Sequence, residues 1–564
     1  KLFKNIKNWL ENQEHLFYLF LFILIVPNIV LCFTEPLSFI AKVCNVLLPF
    51  GCYYLLMTLS RNCGKMLWIL FLFLFFGAFQ IVLLYLFGQS IIAVDMFLNL
   101  VTTNSSEAME LLGNLTPAIV VVVILYIPAL VLATISIVRK RMLSAAFIRR
   151  ERKRAFVVFG VSLLSLAGAY VQDPGYELKS DLYPLNVCYN VGLAFQRTAL
   201  TQNYHHTSKD FTFHAQATHP EEKKEVYVMV VGETSRALNW QLYGYERETN
   251  PLLVQQSGLV AFPKVLTESN TTHKSVPMLL SDVTACSYDS IYHRKGIITA
   301  FKEAGFRTAF FSNQRFNHSF IDGREADTFD FIKEDSLDFS YNPSDNELLK
   351  LVEQELAKGA KKQFIVLHTY GSHFNYRERY PSGDAFFTPD YPVEAERKFR
   401  DNLVNAYDNS VRYTDSLLAR LIGMLENQGT DAALIYTSDH GEDIFDDPRH
   451  LFLHASPVPS YYQLHIPFLI WMSDSYREAY PEHWEAVTAN KEKNISSSSS
   501  FFPTMLDLGG IKTPYRDDSQ SVATPLYKMR PRVYLNDHNE PRPLDDLGMK
   551  KQDFHMLEKQ EINT

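Results

Sequence analysis

Cysteine is scarce in this sequence, with six in 564 residues. Cys32, Cys44, Cys52 and Cys63 lie in or beside the first two apolar runs, which leaves Cys188 and Cys286 for the rest of the chain. One disulfide is the most that the polar part could form, so a small disulfide-stapled fold is excluded. Any soluble domain must then hold itself together by an apolar core, and the length is enough for more than one domain. Lys and Arg are missing altogether from residues 89–115. No internal repeat is visible. No cleavable signal peptide is expected, because the first apolar run is long and others follow it.

What is present is a chain of two characters. Before residue 172 it is dominated by Leu, Phe, Ile and Val; after about residue 205 it carries mixed charge. Five apolar runs approach membrane length, near 15–34, 38–59, 66–88, 116–138 and 155–171, given that a spanning helix takes about 20 residues. The third, "LWILFLFLFFGAFQIVLLYLF", has no charged residue and no polar face, which argues against a buried helix of a soluble core. Lys1, Lys4 and Lys7, then Arg61 and Lys65, then the basic stretch 139–154 alternate with the uncharged loop 89–115. By the positive-inside rule the N-terminus is expected in the cytoplasm, and five spans put everything after residue 172 outside it.

Beyond a linker at 172–222, expected to be partly helical, short apolar runs alternate with helix-like segments such as 345–359 and 399–426. The runs are 226–232, 307–312, 363–369, 432–438 and 467–473. Runs without polar alternation suit strands covered on both faces, and the alternation predicts an α/β domain with a mostly parallel sheet. The serines of 494–511 are expected to precede or cap a helix at Phe502–Leu508.

Three of these runs end in reactive side chains. The first ends in Gly232 and Glu233, the third in His368 with His373 close behind, and the fourth in Asp439, His440 and Glu442. Parallel strands bring such ends to one edge, where ligands bind in α/β folds. Singly, Glu233 would be read as a helix cap and His368 as a core histidine. Together, carboxylates and imidazole suit a divalent metal, and a mixed oxygen and nitrogen set with an open position suits catalytic zinc.

The stretch "VMVVGETSRALNWQLYGYERETNPLL" (228–253), with "SVPMLLS", "HTYGSHFNYRERYP", "NAYDNSVRYTDSLL", "SDHGE" and "LFLHASP", resembles the phosphoethanolamine transferases of the alkaline phosphatase/sulfatase superfamily. That family includes lipid A modifying enzymes and transferable colistin-resistance proteins. The resemblance implies a five-helix transmembrane domain over 1–171, periplasmic linker helices over 172–222, and an alkaline-phosphatase/sulfatase-like periplasmic catalytic domain over 223–564. It implies Thr272 as nucleophile, Glu233, Thr272, Asp439 and His440 as Zn²⁺ ligands, and His373 and His454 as groups that hold substrate phosphate or a second zinc. His368 is a weaker member of the site. A periplasmic helix at 97–112 would meet the donor lipid through Asn99, Thr103 and Glu107, which fall on one face at i, i+4 and i+8.

The implied reaction takes phosphoethanolamine from phosphatidylethanolamine, through a phosphothreonine, to lipid A or another envelope glycan. The implied location is a bacterial inner membrane, with membrane lipids as partners and no nucleic acid. Two departures stand out. Glu268, Ser269 and Asn270 occupy positions where the family often has cysteine and its neighbours, and "SNQRFNHSF" replaces an asparagine/lysine substrate segment, with Arg315, Asn317 and His318 available for that work. A phosphoglycerol transferase of the same superfamily would share the threonine. A sulfatase needs an Arg at the position of Leu279, and a non-catalytic scaffold would have no use for the four ligands together.

Overall fold

The computed structural model describes residues 9–87, 92–102, 115–173, 175–315, 320–321, 323–333 and 341–564. The chain divides into two compact units. One comprises Lys1–Phe97, Leu111–Gln196 and Arg449–Leu451; the other comprises Leu98–Glu110, Arg197–Pro448 and Phe452–Thr564.

The first unit is helical: α1 Gln13–Thr34, α2 Phe39–Met57, α3 Cys63–Ile69, α4 Phe71–Phe87, the start of α5 Val94–Thr102, which passes into the second unit at Leu98, α6 Thr116–Val138 and α7 Ala145–Gln172. Among the described residues four helices are long and apolar enough to cross a membrane, or five if α3 and α4, bent by 62°, count as one span. The third apolar run is therefore a broken helix. The fifth differs more from expectation. Helix α7 starts at Ala145, capped by the Ser144 hydroxyl, so most of the basic stretch 139–154 is helix rather than loop. At 28 residues and about 1.5 Å per residue, α7 outruns the apolar segment that marks it in the sequence. Glu151, fully buried within that basic stretch, pairs with Arg150 and Arg154 and accepts from the Tyr54 hydroxyl. The linker region carries helix α8, Leu185–Gln202, between two single-turn helices.

The second unit is built on a seven-stranded sheet. In chain order its strands are β1 Glu225–Gly232, β2 Leu259–Ala261, β3 Arg307–Ser312, β4 Thr328–Phe331, β5 Lys362–His368, β6 Asp431–Ser438 and β7 Phe468–Met472, and their spatial order is β2-β7-β6-β1-β5-β3-β4. The five strands from β6 to β4 are mutually parallel, whereas β7 runs antiparallel to both neighbours. The sheet is thus mixed, and the run at 467–473 points opposite to the parallel strands.

The apolar runs have a direct cause. Successive side chains of a strand face opposite sides. Val226, Val228 and Val230 enter one core with Leu403, Leu418 and Leu421 of helix Arg400–Glu426. Tyr227, Met229 and Val231 enter the other with Phe501, Met505 and Leu506 of helix Ser497–Leu508. With both faces buried, no position is left for a polar residue until the strand ends. The serine run supplies both the cap position and the start of that second helix: Ser496 is its N-cap residue, without a side-chain capping bond, and Ser497–Ser500 form its first turn, with Ser497, Ser498 and Ser500 buried.

Candidate active site

The sheet register aligns the strand ends. Gly232 pairs with Ser438, Val231 with His368, and His368 with Ser312. The next residues of four adjacent strands leave the sheet at one edge, so Glu233, Thr369, Asp439 and Asn313 become near neighbours although widely separated in sequence. Thr234, at φ +56°, turns the chain sharply just after Glu233. Gly371, at φ +53°, passes so close that an added Cβ would lie 2.6 Å from the Glu233 carbonyl oxygen.

Glu233, Asp439 and His440 are all buried, and their ligand atoms lie within 4.8 Å of one another. The Thr272 hydroxyl joins them, 2.8 Å from Asp439 Oδ2, 3.2 Å from Glu233 Oε1 and 3.2 Å from His440 Nε2. Thr272 is the first residue of the helix Thr272–Leu279, where the helix dipole favours negative charge. Ser275, one turn on, is buried and donates its hydroxyl to the Asp439 carbonyl at 2.6 Å.

The surroundings prepare these atoms to hold a cation. Asp439 Oδ1 accepts from the backbone N–H of Thr234 and His440, which leaves Oδ2 facing Thr272. His440 Nδ1 donates to the Gly441 carbonyl at 2.9 Å, so the Nε2 lone pair points into the cluster. Burial, with Asp439 beside it, pushes the Glu233 carboxyl up to about 7. Burial likewise pushes Asp439 up to about 6 and His440 down to about 4. Two carboxylates and an unprotonated imidazole packed together out of water repel one another; a bound divalent cation removes that penalty. The donor set therefore fits zinc, with three protein ligands and a hydroxyl at a fourth position.

His454 lies against this cluster, its ring centroid 4.1 Å from that of His440, and His373 follows with its ring 6.0 Å from His454. His368 ends β5 as a buried residue and is not one of the clustered ligands. Glu442, which shares the strand end with Asp439, turns elsewhere: its carboxylate takes the Tyr376 hydroxyl and His454 Nδ1. Burial pushes the Glu442 carboxyl up to about 8, against the opposing effect of the Tyr376 hydrogen bond.

Arg315 follows directly on Gln314, which is the residue that reaches the cluster. The Gln314 amide donates to Glu233 Oε2 at 2.8 Å and to the Thr369 carbonyl at 2.9 Å. Sequence reasoning passed over Gln314, yet the signal was the same as for Glu233, a polar residue just past the end of a buried strand. Asn317, His318, Thr103 and Glu107 lie outside the described residues, as does the side chain of Asn99.

A buried metal-type cluster at the carboxyl edge of a doubly covered sheet, with a hydroxyl at a helix start, defines an α/β enzyme domain of the alkaline-phosphatase type. Residues 225–511 match the sulfatase family, and the chain belongs to it. It is 29% identical over 318 residues to phosphoethanolamine transferase EptA of Escherichia coli K12, covering 54% of this chain and 56% of that protein. It is 27% identical over 331 residues to EptC of the same strain, with 56% of each covered. The chain thus spans about half the length of the curated relatives it matches.

Among solved structures, the periplasmic domain of E. coli EptC in complex with Zn aligns at TM-score 0.53 and 25% identity, over 60% of this chain and 97% of that one. The integral membrane EptA of Neisseria meningitidis aligns at TM-score 0.69 and 23% identity, over 90% of this chain and 97% of that one, which extends the likeness of fold to the helical unit.

Proposed function

We propose that this chain is a zinc-dependent phosphoethanolamine transferase of a bacterial inner membrane, with its N-terminus cytoplasmic and residues 223–564 as a periplasmic catalytic domain. The observation that carries the reading is the Thr272 hydroxyl, on a partly buried residue at a helix start and within hydrogen-bond reach of Glu233, Asp439 and His440. The names of the relatives supply the transferred group. Among them is a Kdo(2)-lipid A phosphoethanolamine 7''-transferase of Salmonella typhimurium, 29% identical over 294 residues, which supports a lipid A-type acceptor.

Glu233, Thr272, Asp439 and His440 would hold the zinc. When bound, it would supply Lewis acidity at this edge, of the kind that lowers the pKa of bound water from 15.7 to about 7. Thr272, deprotonated to solvent, attacks the phosphorus of phosphatidylethanolamine; the bond to diacylglycerol breaks and phosphoethanolamine remains on Thr272. The acceptor oxygen then attacks the same phosphorus, and Thr272 leaves in its deprotonated form. His373 and His454 hold phosphate oxygens, and His454 gives a proton to the departing oxygen. Buried Ser275, its hydroxyl spent on the Asp439 carbonyl, cannot take the nucleophile's part without breaking that bond.

The test is the full chain in detergent, given phosphatidylethanolamine and lipid A, with products read by mass spectrometry. Phosphoethanolamine-modified lipid A from the natural chain and none from Thr272→Ala is the expected result. Transfer that survives in Thr272→Ala overturns the reading.

A further inference from the structure

The Thr272 hydroxyl can meet Glu233, Asp439 and His440 together only if the segment that carries it is held in place. Two hydroxyls tie the flanks of that segment to one atom: Thr267 and Ser275 donate to the Asp439 carbonyl at 2.8 Å and 2.6 Å. Between them, Asn270 bonds to a different part of the unit. Its amide group donates to the Ser456 carbonyl at 2.9 Å and to Gln463 Oε1 at 2.6 Å, and its oxygen accepts from the Tyr534 hydroxyl at 2.6 Å. Asn270, Ser456, Gln463 and Tyr534 are all buried.

Gln463 is where these bonds meet. It sits in the single turn Tyr461–Leu464, its N–H bonded to the Ser460 cap hydroxyl at 3.3 Å. Its side chain engages both ends of the amide: Oε1 accepts from Asn270 and from the Ser456 hydroxyl at 3.1 Å, while Nε2 donates to Asp443 Oδ2 at 2.5 Å and weakly to the Leu453 carbonyl at 3.5 Å. Its main-chain carbonyl accepts from the Gly441 N–H at 2.8 Å. These partners belong to the three segments of the site. Asn270 lies two residues before Thr272, Gly441 follows His440, and Leu453 and Ser456 lie on either side of His454. An apolar side chain of the same size would leave Asn270 and Asp443 without the bonds they make to it, out of reach of water.

We propose that Gln463, acting through Asn270, is a positioning residue that sets the Thr272 hydroxyl at its distance from Asp439 and His440. This rests on the reading of Thr272 as nucleophile and ligand given above. Gln463 and Asn270 touch neither substrate nor metal, and they keep their bonds while Thr272 gains and loses the phosphoethanolamine group. Glu233, Asp439 and His440 are fixed by their own strand ends, so loss of the Gln463 amide moves Thr272 relative to the other three.

Zinc affinity of the full chain in detergent, measured by competition with a chelating dye, tests this without any substrate. Gln463→Met should lower it about tenfold in the natural chain and less than about twofold where Thr272 is already replaced by alanine. Asn270→Ala should give the same pattern, and it decides alone if the Gln463 variant does not fold. Equal losses in both backgrounds, or no loss in either, overturn the proposal. A second comparison repairs the bond instead of removing it. Gln463→Glu sets a carboxylate oxygen against Asp443, whereas Asp443→Asn together with Gln463→Glu restores a donor and an acceptor in the opposite sense and keeps the bond from Asn270. In single turnover with phosphatidylethanolamine, modification of Thr272 should slow about tenfold in Gln463→Glu, with the half-saturating lipid concentration changed less than about threefold. The double variant should return to within about threefold of the natural rate, and a rate that stays low overturns the proposal. A natural chain that binds zinc yet never modifies Thr272 overturns the transferase reading, while the zinc comparison still judges Gln463.

Discussion

Glu233 depends on a single amide for part of its orientation. Gln314 donates to its Oε2 while anchored to the Thr369 carbonyl, so Gln314→Leu removes the support and leaves the carboxylate in place. Partners of this kind are worth about 10- to 100-fold in metal affinity. The expected outcome is zinc affinity lower by about that factor, measured by competition with a chelating dye; unchanged affinity would mean that Gln314 only fills space.

The carboxyls themselves predict a pH dependence. Without metal, Glu233 and Asp439 are held up to about 7 and about 6, above their ordinary values, so the folded state binds more protons than the unfolded one across that interval. Their contribution to stability is present at low pH and is lost as pH rises through about 6 and then about 7. Zinc requires both as carboxylates, so the gain in melting temperature on adding zinc should grow across the same interval. Calorimetric scans at several pH values check this; a zinc shift that does not change with pH contradicts it.

At the scale of elements, the site is made by strand register. The pairing of Gly232 with Ser438 fixes Glu233 beside Asp439, and Gly371 lets the loop after β5 press against Glu233. Gly371→Ala forces a left-handed alanine and puts a methyl group 2.6 Å from a carbonyl oxygen. A loss of at least about 1 kcal/mol of stability is expected, together with a lower zinc content, as checked by denaturant melts and elemental analysis.

The same elements show what sequence could and could not reveal. β1, β3, β5, β6 and β7 were legible because burial on both faces removes polar alternation. β2 and β4 were not, since three- and four-residue strands at the sheet margins leave no such run. The reversed direction of β7 is invisible because an apolar run carries no direction. The cluster of Glu233, Thr272, Asp439 and His440 was reached from strand ends and family resemblance. The turn of Glu442 away from it toward Tyr376 depends on a contact that no local pattern encodes.

At the scale of the molecule, a helical unit of membrane character shares a chain with an α/β unit that holds every candidate ligand. The membrane half of the sequence is proposed to do more than anchor. The stretch 89–115 lacks Lys and Arg, and we propose that the Glu107 carboxylate pairs with the ethanolamine ammonium. Glu107→Gln in the full chain should impair turnover of phosphatidylethanolamine while zinc content and membrane insertion stay unchanged. Equal turnover would leave Glu107 without a part in donor binding.

The central claim is that Thr272 carries the phosphoethanolamine group between donor and acceptor. Its most direct test is peptide mass spectrometry of the full chain after incubation with phosphatidylethanolamine and no acceptor. The predicted result is one phosphoethanolamine group on Thr272, lost when acceptor is added. A modification on Thr271 or Ser275 instead, or an unmodified Thr272 while transfer proceeds, would contradict it.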